Sequence, residues 1–167
     1  ENYPPWCKKV QGSPIVKKLI ATGRMTFRCL EPKRKDGSDL QTKKLGIPGT
    51  ALDVEALDVY VHEVSLLGVE RFDAVLVDGR FRVACALRLL EYLGEGSILI
   101  MHDFWFRAVE GFTARAYRNG PKLPGYNIVL KYYDCIGRTR SIAILKKKKT
   151  LPADWREIYK SYMNNPV

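Results

Sequence analysis

The 167-residue sequence has no apolar run near the roughly 18 residues that cross a bilayer, which excludes a membrane-spanning helix. None of its four cysteines, at positions 7, 29, 85 and 135, stands in a C-x-x-C pair, and it has only two histidines, so a structural zinc site lacks its usual ligands. Cys85 lies in an apolar helical pattern, where a thiol packs like a small hydrophobe. The scattered cysteines predict a reducing, intracellular compartment and do not separate cytoplasm from organelle. The chain opens Glu1-Asn2-Tyr3-Pro4-Pro5, without an initiator Met or the basic-then-apolar order of a signal peptide, and reads as trimmed at its start.

What is present is ordinary for a globular chain: 46% hydrophobic and 28% charged residues, at a length that predicts one domain with a real core. The formal net charge of +10 is high for this size. Much of it sits in the clusters Lys33-Arg34-Lys35, Lys43-Lys44 and Lys146 to Lys149. Such runs more often make solvated loop edges than dedicated sites. The alternative is an anionic partner, nucleic acid first, because clustered Lys and Arg release counterions from phosphates without a sequence code.

Along the chain, Ser13-Pro14 starts a short amphipathic helix through Ile15, Val16, Leu19 and Ile20, which Gly23 stops. Met25 to Leu30 alternates weakly and predicts a strand, and residues 32 to 50 predict a Lys-, Gly- and Pro-rich loop. Val54, Leu57, Val61, Val64 and Leu67 predict a helix over 53 to 67, closed by Gly68. The apolar stretch Ala74 to Val77 then fits a strand covered on both faces. Val83, Ala86, Leu87 and Leu90 predict a helix that Gly94 and Gly96 end, and Ser97 to Met101 a second buried strand. This alternation argues for a parallel sheet. A helix carrying Trp105, Val109 and Phe112 is expected next, then turns at Gly120-Pro121 and Pro124-Gly125. Strands at Tyr126 to Tyr133 and Arg140 to Leu145 follow as an antiparallel hairpin with Gly137 in its connection. Trp155, Ile158, Tyr159 and Tyr162 recur at helical spacing in the tail, which predicts a docking helix whose aromatic stripe covers its own core. The expected domains are an α/β domain over 1–149 and a docking helix or tail over 150–167.

Ligands of open parallel sheets bind beyond the carboxyl ends of the strands, where Asp78 and the pair His102-Asp103 fall. A strand running into Asp-Gly makes a tight turn that aims the carboxylate out of the sheet edge. Two carboxylates and an imidazole brought to one place suit a hard divalent cation such as Mg2+. Each residue also has a plainer role: Asp78 as a cap of the following helix, and His102 as a histidine hydrogen-bonded at a strand end.

The element order, with Phe72-Asp-Ala-Val-Leu-Val-Asp-Gly-Arg-Phe-Arg-Val-Ala-Cys-Ala-Leu and Ile98-Leu-Ile-Met-His-Asp-Phe-Trp, resembles the C-terminal two-thirds of class I S-adenosylmethionine-dependent methyltransferases. The resemblance runs to about Lys148. It implies an α/β, Rossmann-like methyltransferase fold with a mostly parallel sheet and a closing antiparallel hairpin. The family's sheet order is 3-2-1-4-5-7-6, with the five expected strands here as strands 3 to 7. Its metal-dependent O-methyltransferases place carboxylates after strands 4 and 5, matching Asp78 and His102-Asp103, although their usual second pair is Asp-Asp or Asp-Asn. The resemblance thus implies Asp78 and Asp103 as metal ligands, and Asp78 and Gly79 as cofactor-binding. Glu1, ahead of Trp6-Cys7, looks like the acidic residue that bonds the cofactor's ribose. The first strand-helix-strand unit, with its glycine-rich cofactor loop, is absent from this sequence, and the fragment alone is not expected to bind S-adenosylmethionine well.

Two functions follow. One is methyl transfer to an oxygen or nitrogen nucleophile, with His102 as general base, Asp78 and Asp103 holding metal or substrate, and Arg80 and Arg82 favouring an acidic substrate. Those arginines have a second reading, as surface ion pairs bracing the loop carboxylates. The other function is a non-catalytic module of this fold, a structural or RNA-binding subunit of a large assembly such as a mitochondrial ribosome.

Overall fold

The computed structural model describes residues 4–30, 33–39, 42–43, 47–48, 51–56, 58–79, 81–104, 126–139 and 141–163. The chain divides into two compact units, 1–60 and 61–167.

In the first unit, α1 (Pro4–Gly12) and α2 (Pro14–Ala21) form a helical pair. Ser13 is the N-cap of α2, Pro14 its first-turn residue, and Gly23 takes the left-handed φ of +67° that turns the chain after the helix. The sequence reading misses α1, and it pairs none of the cysteines, whereas Cys7 and Cys29 form a disulfide with Cα atoms 5.9 Å apart. Met25 to Leu30 belongs to no strand, so the expected strand is not formed there. Its weak alternation finds no ladder, and the small antiparallel pair of β1 (Thr42–Lys43) and β2 (Ile47–Pro48) lies within the expected loop instead. Arg34 grips the fully buried Asp53 of α3 (Ala51–Ala56) with two hydrogen bonds, Nε to Oδ1 at 2.8 Å and Nη2 to Oδ2 at 3.1 Å. This fork-to-fork pairing is the one a planar guanidinium makes best. Lys33 pairs with Asp39, and Lys35 with Glu55, so the first basic cluster is spent within its own unit.

The helical period over 53 to 67 is realised as α3, α4 (Asp58–His62) and a 3-10 turn at Glu63–Leu66, with Gly68 at φ +65° after it. In the second unit, β3 (Phe72–Val77), β4 (Leu93–His102), β5 (Tyr133–Arg138) and β6 (Ile142–Lys147) form one sheet in the order β3-β4-β6-β5. β3 and β4 are parallel, and the other pairings are antiparallel. The sheet is mixed rather than mostly parallel among the described residues. Its order matches the last four places of the expected family order, strands 4-5-7-6.

The core lies on one face of this sheet. Val77, Leu99, Met101, Ala143 and Leu145 pack under α5 (Arg82–Arg88), which contributes Val83, Ala84, Ala86 and Leu87, and under the 3-10 helix Tyr126–Lys131. α6 (Trp155–Met163) closes it with buried Trp155 and with Ile158, Tyr159 and Tyr162, as the aromatic stripe predicts. Two other expectations differ. Leu76 is 62% exposed, so β3 is not covered on both faces as its apolar run suggests. The segment Tyr126–Lys131 is 3-10 rather than strand, because Tyr126 and Val129, three apart, are the positions that reach the core. The hairpin therefore starts at Tyr133, and Gly137 lies within β5, where a Cβ would stand 3.3 Å from Ile144.

Three lysines at the end of β6 and just after it have partners within the fold. Lys147 Nζ donates to the Leu90 carbonyl at 3.1 Å and Lys148 Nζ to the Leu130 carbonyl at 2.9 Å, capping two helical ends whose carbonyls lack helical partners. Lys149 pairs with Glu95 at 2.9 Å. The predicted helix at Trp105, Val109 and Phe112 and the turns at 120 to 125 lie outside the described residues.

Candidate active site at the ends of two parallel strands

β3 and β4 run side by side in register, Val77 opposite Met101, so the residues that follow them emerge together. Asp78 follows β3 and His102 ends β4, with Asp103 next. His102 Nδ1 lies 2.8 Å from Asp78 Oδ1 and 3.7 Å from Asp103 Oδ1. A carboxylate only accepts hydrogen bonds, so Nδ1 is the nitrogen that carries the proton and donates to Asp78. In the neutral ring this leaves Nε2 with its lone pair, as an acceptor. The three side chains are 39 to 50% exposed, half in water and open to a ligand.

Arg82, in the first turn of α5, enters the same cluster and is only 12% exposed. Its Nη2 donates to Asp103 Oδ2 at 3.1 Å and stands 3.7 Å from Asp78 Oδ1, while its Nη1 donates to the Tyr126 hydroxyl at 2.9 Å. The guanidinium carbon is also 5.9 Å from the centre of the Tyr126 ring, within cation–π range. Of its two expected roles, Arg82 takes the brace of the loop carboxylates.

Among the described residues, two other than glycine have a left-handed φ, Phe81 at 55° and Asp103 at 54°. One begins α5 and the other follows β4, so both strained turns belong to this cluster. Such a conformation is unusual for a bulky residue, and backbone strain of this kind gathers at sites where geometry is imposed by surrounding packing. Phe81 is fully buried, which holds it there, and it takes the N-cap place of α5 with no side-chain cap. Asp78 is therefore bonded to histidine rather than capping that helix.

The structure thus brings Asp78, His102 and Asp103 together as the sequence suggests, with Gly79 in the turn between β3 and α5. Arg80 and Glu1 lie outside the described residues. Tyr126 was missed, and no local signal marks it, since it stands 44 residues beyond Arg82. One ligand atom from each of Asp78, His102 and Asp103 can be chosen so that all lie within 4.8 Å of one another, a donor set suited to a divalent cation. The Arg82 guanidinium already contacts the two carboxylates of that set.

No protein family model and no curated protein sequence matches the chain. Among solved structures it is similar to a methyltransferase-like protein from Silicibacter pomeroyi, at 19% identity and a TM-score of 0.59, over 98% of this chain and 73% of that one. The chain has a methyltransferase-like fold.

Proposed function

We propose that this protein is a methyltransferase that uses S-adenosylmethionine, with the His102–Asp78 pair as its acid–base element. The observation that carries the reading is the 2.8 Å contact between Asp78 and His102 Nδ1, which commits the imidazole to one tautomer and leaves Nε2 to accept a proton. S-adenosylmethionine, when bound, supplies an electrophilic methyl group on a sulfonium. An oxygen or nitrogen nucleophile attacking such a methyl group must shed its proton, and His102 Nε2 receives it. A positioned base of this kind contributes about 10²- to 10⁴-fold in rate. Asp78 holds the ring and favours the imidazolium that forms, as a carboxylate behind a catalytic histidine does.

The placement supports the reading, because ligands of parallel sheets sit beyond the carboxyl ends of the strands. Gly79 lies in the first of those turns and Glu1 is the proposed ribose partner. Asp78 and Asp103 are the carboxylates that a divalent cation would require, and Arg82 already contacts both. Arg80 is proposed to favour an acidic acceptor. The second reading, a non-catalytic structural or RNA-binding subunit, draws on the +10 charge. It is the weaker one, because no specific contact among the described residues supports it, whereas Asp78 and His102 meet at the strand ends.

The test is calorimetric titration of S-adenosylmethionine into the natural full-length protein. Saturable binding that S-adenosylhomocysteine competes away is expected. A folded protein that binds neither compound sinks the enzyme reading and favours the module.

A further inference from the structure

We infer that Arg82 is the built-in cation of this site, holding the place between Asp78 and Asp103 that a divalent metal takes in a metal-assisted enzyme. The inference deepens the proposed methyltransferase and rests on that reading only for its catalytic meaning; the geometry stands without it. Two carboxylates that both approach one imidazole nitrogen, at 2.8 and 3.7 Å, repel each other unless a positive charge lies close by. Arg82 supplies that charge, with Nη2 3.1 Å from one carboxylate and 3.7 Å from the other.

Three features make the charge a fixture. A guanidinium does not lose its proton at any pH the fold survives. The side chain is 12% exposed, so leaving would uncover a buried stem. Tyr126, from the far side of the cluster, accepts its second amino group at 2.9 Å and presents the ring to it. Magnesium or manganese would have to bring the same carboxylate oxygens to roughly 2 Å and would meet a cation already bonded to them. The donor set is right for a metal, and the space and the charge balance are not. Asp78 remains free to orient His102, because the guanidinium keeps its shorter contact for Asp103.

Arg82 is therefore a positioning residue, and methyl transfer here runs on histidine and guanidinium without a divalent ion. Arginine is also poorly placed to bind an acidic substrate while it is held by two carboxylates and a tyrosine.

The test is Mn2+ binding, read by the loss of the free-ion electron paramagnetic resonance signal, with no S-adenosylmethionine present. The wild-type protein should bind Mn2+ at least 10-fold more weakly than Arg82→Met, which keeps an apolar stem and removes the charge. Adding Asp103→Asn to Arg82→Met should abolish the gain, and Arg82→Lys, which retains a cation, should show none. Wild-type binding as tight as that of folded Arg82→Met, or a folded Arg82→Met with no gain, overturns the inference. If Arg82→Met does not fold, the wild type decides: tight, Asp103-dependent Mn2+ binding refutes the proposal, and its absence with Arg82→Lys equally metal-poor supports it. Neither result touches the titration of S-adenosylmethionine, so the two claims fail separately.

Discussion

Replacing Ser97 by alanine tests how the parallel pair β3–β4 is held at the end away from the candidate site. Between the pairs Phe72–Leu93 and Ala74–Ile98 the register shifts, and β4 carries the extra residues in Gly94-Glu95-Gly96-Ser97. Ser97, buried to 6% exposure, stitches that bulge closed: its hydroxyl donates to the Phe72 carbonyl at 2.6 Å and accepts from the Gly94 amide at 2.9 Å. Alanine removes both bonds and leaves an amide and a carbonyl that water reaches only partly. Each such group costs about 1 to 3 kcal/mol when fully buried, so about 2 kcal/mol for the pair is expected here. With a urea dependence of about 2 kcal/mol per molar, the midpoint should fall by about 1 M. His102 is five residues along the strand, about 16 Å away, so binding at the site should not change. A midpoint shift below about 0.25 M, or a large loss of ligand binding in a folded Ser97→Ala protein, would refute the reasoning.

The Lys131 ammonium, bonded to Asp154, holds that carboxyl below its usual pKa, with help from the Tyr132 hydroxyl. A depressed folded-state pKa adds stability that is present above the ordinary carboxylate range and is lost as pH falls through the folded value. Urea unfolding at pH 7 and pH 3 should therefore show a smaller acid loss in Asp154→Asn than in the wild type; equal losses would contradict the assignment. The thiols should separate without mutation. Burial pushes the Cys85 thiol up to about 12, Cys135 is exposed, and Cys7 and Cys29 are joined. A thiol reagent near pH 8 should modify the exposed Cys135 in the native protein faster than the half-buried Cys85, whose raised pKa keeps its thiol protonated, as peptide mapping would read. Native labelling of Cys85 as fast as that of Cys135 would contradict this ordering.

Much of the second unit was legible because its elements carry strong periodic or continuous apolar patterns. Val-Asp-Gly and His-Asp stand at the ends of two such strands, and register alone then brings Asp78 to His102. What failed depended on distant partners. Met25 to Leu30 has the alternation of a strand and no strand to pair with, and α1 begins at two prolines that hide a helix start. Gly94 and Gly96 look like helix stops, but the helix ends before them and they serve the bulge that Ser97 ties. Arg82 sits four residues after Asp78, a spacing that allows an ion pair, yet its tie to Asp103 and Tyr126 comes from tertiary packing. The lysine run reads as solvated or partner-facing from composition, and only the fold reveals that two of its members cap helical ends.

The most direct test of the His102–Asp78 pair is the tautomer of His102, read from long-range 15N–1H correlations of the ring above its titration range. The protein has two histidines, so a His62→Gln variant assigns the signals. The account predicts Nδ1 protonated and Nε2 carrying the lone pair, with that preference lost in Asp78→Ala. A ring protonated on Nε2 in the wild type, or one that Asp78→Ala leaves unchanged, would contradict it and remove the base from the proposed chemistry.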